Sequence, residues 1–213
     1  MRMKKLFLAS EIHIVAKDIA NKFTTPVKKL KTVFIPTAAE YKKEDKQWVK
    51  DNRQGLVDAG FNLFDYTITG KKPRDIKKDL ENIDVIHVNG GNTFYLLLQA
   101  RKSGFDKFVI KAIKQGKIYT SSSAGSIIAS PNIEIARKLD TKIYEKELKT
   151  FEGFGLVDFI TFPHWGREDF KDKYLNWRLD IAYKQENKII LLNDYQYIQV
   201  ENDKYRIVDI RKD

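Results

Sequence analysis

The chain has 213 residues, room for one well-buried α/β domain (1–213) and short for two. Its 42% hydrophobic and 32% charged content is that of an ordinary globular protein, and no apolar run approaches the ~20 residues of a membrane helix, which excludes a bilayer span. The lack of cysteine excludes disulfides, a thiol nucleophile and thiolate metal sites, as fits a cytoplasmic protein; the formal charge of +10 comes from lysines spread among acids, a solvated surface more than a nucleic-acid-binding face.

The opening MRMKKLFLAS is apolar only from Leu6 to Ser10 and then meets Glu11. A secretory signal needs an apolar core of roughly 7–15 residues, so the segment reads as a first β-strand. Strands are predicted at 5–9, 32–36, 62–66, 84–88 and 117–121, several apolar at most positions and therefore buried on both faces. Helices near 11–23, 45–59, 92–101 and 105–115 alternate with them. In 45–59, Trp48, Val49, Leu56 and Val57 recur at helical spacing, and Gly60 suits a left-handed cap. KKPRDIKK at 71–78 is the densest basic run, tempered by Asp75, and reads as solvated surface. Beyond residue 150 the pattern changes to strands at 157–162, 188–192, 195–200 and 205–210, with one helix at about 168–184. The last two strands flank ENDK as an antiparallel hairpin closing the sheet. Together these elements predict a mostly parallel sheet flanked by helices.

Three segments carry residues suited to chemistry. In VIHVNGGNTFYLLL (85–98) a buried strand ends in Gly90 and Gly91, which let backbone approach a ligand closely, and Asn92 or Thr93 caps the next helix. The alternative is a plain strand-to-helix turn or a weak phosphate loop, though a phosphate loop would want a lysine or a longer glycine pattern. In IYTSSSAGSIIA (118–129) a strand runs through Ser123, Ala124 and Gly125 into a small apolar helix, as in a nucleophile elbow. Ser121 stands where the elbow's first glycine would be, and a serine-rich strand end that caps a helix fits as well. In FITFPHWG (159–166) a strand delivers His164 at its end. The other histidines are His13, without a partner motif, and His87, inside a strand where a structural role is expected. Three imidazoles so scattered make a poor metal site.

NGGNTFYLL at 89–97, SSAGSIIA at 122–129 and FPHW at 162–165, in that order, resemble the serine peptidase family of dipeptidase E (aspartyl dipeptidase) and cyanophycinase, over roughly residues 5–200. The resemblance implies a flavodoxin-like fold related to class I glutamine amidotransferase domains, with a serine in place of their cysteine. It implies Ser123 as nucleophile, His164 as general base, the Gly91 and Ala124 amides as oxyanion hole, no metal or organic cofactor, and a small peptide as substrate. For the acid it points to the stretch NIEIARKLD, where Asp140 is the nearest match with Glu134 behind it; Asp194, at the end of KIILLND, is the alternative if the sheet brings it near His164. Arg137 and Arg167 are candidates to hold a substrate carboxylate, since an aspartyl dipeptidase must recognise one. A monomer or homodimer without nucleic-acid or membrane partners is expected. The rival reading is a non-catalytic α/β module that keeps the fold and binds a ligand or partner, for which the altered elbow at Ser121 speaks.

Overall fold

The five residues of β1 (Lys5–Ala9) are all buried, and their side chains divide between two cores as the period of a strand requires. Leu6 and Leu8 join one apolar cluster, Phe7 and Ala9 the other. The computed structural model describes residues 3–138 and 142–211. It continues through β2 (Lys31–Ile35), β3 (Asn62–Asp65), β4 (Val85–Val88) and β5 (Ile118–Ser122), with α1 (Ile12–Asn21), α2 (Gln47–Asp58), α3 (Pro73–Leu80), α4 (Thr93–Ser103) and α5 (Phe105–Lys114) between them. After α6 (Ala124–Ile128) come β6 (Phe159–Phe162), β7 (Lys188–Leu191), β8 (Gln196–Glu201) and β9 (Lys204–Asp209).

Seven strands form one sheet in the order β3-β2-β4-β5-β1-β8-β9. The first five strands of the chain pair in parallel, and β8 joins β1 antiparallel before turning into β9. This is the predicted architecture, terminal hairpin included. α1 and α2 cover the Phe7 face, while α4, α5 and α6 cover the Leu8 face. Burial on both faces explains why β1 and β4 are apolar at all but one position each, Lys5 and His87, whereas edge strand β3 is part-exposed.

Three features depart from the sequence expectation. First, 73–80 is a helix: Pro73 opens it, and Ile76 and Leu80, four apart, are buried beneath its lysines. Second, α2 does not bury the whole apolar set. Leu56 is buried, but Trp48 and Val57 are exposed, and the polar Asn52 lies inside at 1% exposure. Third, β6 and β7 stand outside the seven-stranded sheet as a parallel pair of their own, in register Phe159–Lys188 to Phe162–Leu191. That pair is tied to the end of α6, where the Thr161 amide donates to Ser130 Oγ at 3.1 Å.

α6 crosses β4 at very close range. A Cβ on Gly125 would lie 2.0 Å from the Val88 carbonyl oxygen, a separation no side chain tolerates. Gly125→Ala is expected to destabilise the protein by about 3 kcal/mol or more, because backbone and not a flexible side chain must move. Urea unfolding of the variant beside wild type checks this; a midpoint within error of wild type would contradict the close approach.

Candidate active site

The strand β5 ends in a turn whose backbone few residues adopt. Ser123 has φ 49° and ψ −111°, a region that costs a non-glycine residue roughly 1–3 kcal/mol and persists only where its surroundings hold it. Here the Ser123 amide donates to the carbonyls of Ala9 and Ser10, both at 3.1 Å, and its own carbonyl accepts from the Ser126 and Ile127 amides. The elbow therefore forms despite Ser121. That side chain is fully buried, and its hydroxyl lies 2.8 Å from Ser126 Oγ, which in turn donates to the Ala9 carbonyl at 2.7 Å. A hydroxyl is accommodated at the place of the elbow's first glycine because a neighbouring serine gives it a partner.

Ser123 Oγ lies 2.8 Å from His164 Nε2, and His164 Nδ1 lies 2.7 Å from Asp194 Oδ1. An ionised carboxylate only accepts, so Nδ1 carries the proton and Nε2 presents its lone pair to the serine hydroxyl. His164 is 5% exposed and stacks on Phe170 with centroids 5.0 Å apart. It also has a positive φ, 63°, and its amide donates to Ser10 Oγ at 2.7 Å. Tyr174 hydrogen-bonds the Pro163 carbonyl just before it. Imidazole and carboxylate arrive together because β6 and β7 are neighbours. His164 follows the end of β6 by two residues, Asp194 follows the end of β7 by three, and the Trp165 amide donates to the Leu192 carbonyl at 2.9 Å.

Burial alone would push the Asp194 carboxyl up. The hydrogen bond and charge of His164, the Ser10 hydroxyl and the Arg167 guanidinium outweigh it and hold the group below the usual carboxylate range. His87, by contrast, is buried in β4, stacks on Phe34 and is pushed down to about 3 by desolvation. It is the structural histidine expected from sequence.

Ser123 and His164 open into a cavity of about 340 Å³ that Gly91, Glu11, Asn52, Arg167 and Lys173 also line. Gly91 has φ 134°, and a Cβ there would meet the Ala38 carbonyl oxygen at 2.2 Å. The Gly91 and Ala124 amides have no acceptor among the described residues. Gly90 is the glycine that directly faces the serine; a Cβ on it would lie 3.7 Å from Ser123 Oγ.

The remaining sequence candidates separate. Asp140 lies outside the described residues, and the carboxylate that meets His164 is Asp194. Glu134 accepts from Gln185 Nε2 at 3.0 Å, away from the imidazole. Arg137 is bound to Glu145 at 2.7 Å and lies over the Phe151 ring; it is not among the described residues lining the cavity. Arg167 does line it, bound to Asp169 through Nε and Nη2, with Glu11 and Asp194 within 3.8 Å of Nη1. Sequence reasoning missed Ser10, Glu11 and Asn52. Asn52 connects His13 Nδ1, at 3.0 Å, to Asn89 Oδ1, also at 3.0 Å. A polar residue on the inner stripe of α2 was the available signal, masked by the aromatic and aliphatic residues around it. Glu11, His164 and Asp194 offer ligand atoms within 4.8 Å of one another, but the Arg167 guanidinium already sits against both acids.

A mostly parallel α/β sheet with a serine at such a strand-to-helix turn defines a hydrolytic enzyme of the serine type. The chain belongs to peptidase family S51, whose sequence model matches residues 7–208, and it is a serine-type peptidase. An uncharacterized peptidase of Listeria monocytogenes is 33% identical over 92% of this chain and 94% of its own. Peptidase E of Streptomyces coelicolor is 29% identical over 71% of this chain and 61% of its own. Among solved structures, a Listeria monocytogenes EGD-e protein named for peptidase E superimposes with a TM-score of 0.87 at 28% identity, covering 97% of this chain and 98% of that one.

A carboxyl whose folded pKa is depressed contributes stability that is present above its unfolded pKa and lost as pH falls through the folded one. The stability difference between wild type and Asp194→Asn is therefore expected to be largest near neutral pH and to shrink below about pH 4. Unfolding midpoints of both proteins from pH 7 to pH 3 check this; parallel curves would contradict an ionised, hydrogen-bonded Asp194.

Proposed function

We propose that this peptidase hydrolyses small peptides through an acyl-enzyme, with Ser123 as nucleophile, His164 as general base and acid, and Asp194 orienting the imidazole. The observation that carries this reading is the continuous hydrogen-bonded chain from Ser123 Oγ through His164 to Asp194 at the strained turn. His164 Nε2 takes the Ser123 proton as Oγ bonds to the peptide carbonyl carbon. The same nitrogen then gives that proton to the leaving amine as the C–N bond breaks. Water, deprotonated by His164, hydrolyses the ester and restores Ser123. Asp194 keeps the proton on Nδ1 and stabilises the imidazolium.

The oxyanion is assigned to the Gly91 and Ala124 amides. Both flank the nucleophile in space or sequence, and both lack an acceptor among the described residues. A cavity of about 340 Å³ favours a peptide of two or three residues over a folded protein. The resemblance of the chain's sequence motifs to the aspartyl dipeptidases makes dipeptides with an N-terminal aspartate the first substrates to test. Arg167 is already engaged by Asp169, so Lys173, which forms no ion pair among the described residues, is the cation left to meet a substrate carboxylate.

A panel of Asp-Xaa and other dipeptides, assayed with wild type and Ser123→Ala side by side, tests the proposal. Turnover is expected to fall by about four orders of magnitude in Ser123→Ala and His164→Ala, and by about 10³- to 10⁴-fold in Asp194→Asn. Activity retained by Ser123→Ala would overturn the mechanism. Cleavage confined to non-aspartyl peptides would keep the mechanism and reject the aspartate preference. Lys173→Ala is expected to raise KM for Asp-Xaa alone; equal effects on all peptides would remove Lys173 from recognition.

A further inference from the structure

We infer that Ser10 is a positioning residue of this site, holding Asp194 and His164 in mutual register; the inference rests on the Ser123–His164–Asp194 reading above. Ser10 is fully buried at the C-terminal end of β1. Its hydroxyl donates to Asp194 Oδ1 at 2.6 Å and accepts from the His164 main-chain amide at 2.7 Å. Its carbonyl accepts from the Ser123 amide at 3.1 Å and from Ser122 Oγ at 3.2 Å. One residue therefore touches the nucleophile's turn, the base and the acid, each of which comes from a different strand end.

The side-chain chemistry is restrictive. The group between an N–H and a carboxylate must accept from one and donate to the other, which a small hydroxyl does and an alkyl, an ammonium or a second carboxylate does not. Both partners are costly to leave alone. The His164 amide is buried at a residue with positive φ, and Asp194 Oδ1 is shared between Ser10 and His164 Nδ1. The Ser10 proton is committed to Asp194, because Nδ1, 3.4 Å from the Ser10 oxygen, carries its own proton and cannot accept another. Without the hydroxyl, Asp194 keeps on Oδ1 only its bond to the imidazole it must orient, and the loop that carries that imidazole loses its anchor. The other oxygen, Oδ2, has Arg167 Nη1 at 3.6 Å, a contact of charge and not of direction. Ser10 thus acts through Asp194 and His164 and does not touch the reacting atoms.

The test reads the reactivity of Ser123 with a fluorophosphonate, which needs no knowledge of the peptide. Wild type is expected to label at Ser123, and Ser123→Ala not at all. In Ser10→Ala the saturating labelling rate should fall roughly 10- to 100-fold with little change in the half-saturating concentration, as a misplaced base predicts. The proton on His164 Nδ1, seen by NMR far downfield of the amides in wild type, should be lost or shifted upfield. A merely structural serine would leave that resonance in place while lowering the melting temperature. If Ser10→Ala does not fold, Ser10→Cys, which leaves no cavity but donates weakly, takes the same two measurements. Labelling at the wild-type rate with the resonance unchanged overturns the role of Ser10 while leaving the triad intact. A wild-type resonance that is absent overturns the arrangement about Asp194, and failure of wild type to label at Ser123 overturns the parent reading.

Discussion

The strained turn at Ser123 is the constraint around which the rest of this molecule is arranged. A serine at φ 49° is held only because its amide is shared by two carbonyls from the end of β1 and because Gly125 lets α6 lie against the Val88 carbonyl. Those two contacts explain why β1, β4 and β5 are adjacent, buried and closely registered at their C-terminal ends. Strain of this kind is tolerated in a rigid scaffold and released in a loose one. The surrounding serines belong to the same device: Ser121 and Ser126 pair with each other, and Ser122 bonds to the Ser10 carbonyl. The serine-rich strand end is thus a hydrogen-bonded support for the turn, and its role as elbow and its role as a polar strand end are one structure.

Opposite this rigid centre stands a separate small unit, the parallel pair β6–β7. It delivers an imidazole from one strand end and a carboxylate from the next, at nearly equal heights because Phe162 is in register with Leu191. The carboxylate beside His164 therefore follows it in the chain. Arg167 completes the polar setting by lying against Asp194, Glu11 and Asp169, which distributes its charge and leaves Lys173 as the freer cation at the cavity. Membership of family S51 makes the chain a serine-type peptidase and sets aside a non-catalytic module.

The basic composition finds a modest explanation. Lysines pair with acids across the surface, as in Lys50–Asp45, Lys102–Glu147, Lys184–Asp180 and Lys188–Asp158. Exposed pairs of this kind contribute about 0–1 kcal/mol each, so they bear on solubility more than on the fold. The basic run at 71–78 serves a local purpose: its lysines face solvent over Ile76 and Leu80, and Asp75 caps the helix by accepting from the Lys72 amide at 3.0 Å.

What was legible in the sequence was whatever local pattern determines: doubly buried strands from mostly apolar runs, the terminal hairpin, the strand that ends in Ser123 and the strand that ends in His164. Each of these follows from residues within about ten positions of one another. The identity of the carboxylate beside the imidazole was not of that kind. It depends on β6 pairing with β7 outside the main sheet, a contact between residues about thirty apart whose apolar patterns fit the main sheet equally well. Ser10 was hidden for the same reason: its partners are 112 to 184 residues away, and nothing in a serine after a strand announces them. The amino-acid sequence by itself determined the fold class and the turn at Ser123, because periodicity and small residues act locally. Only the tertiary structure decided which acid, which hydroxyl and which cation surround that turn, because those choices are set by strand pairing across the whole chain.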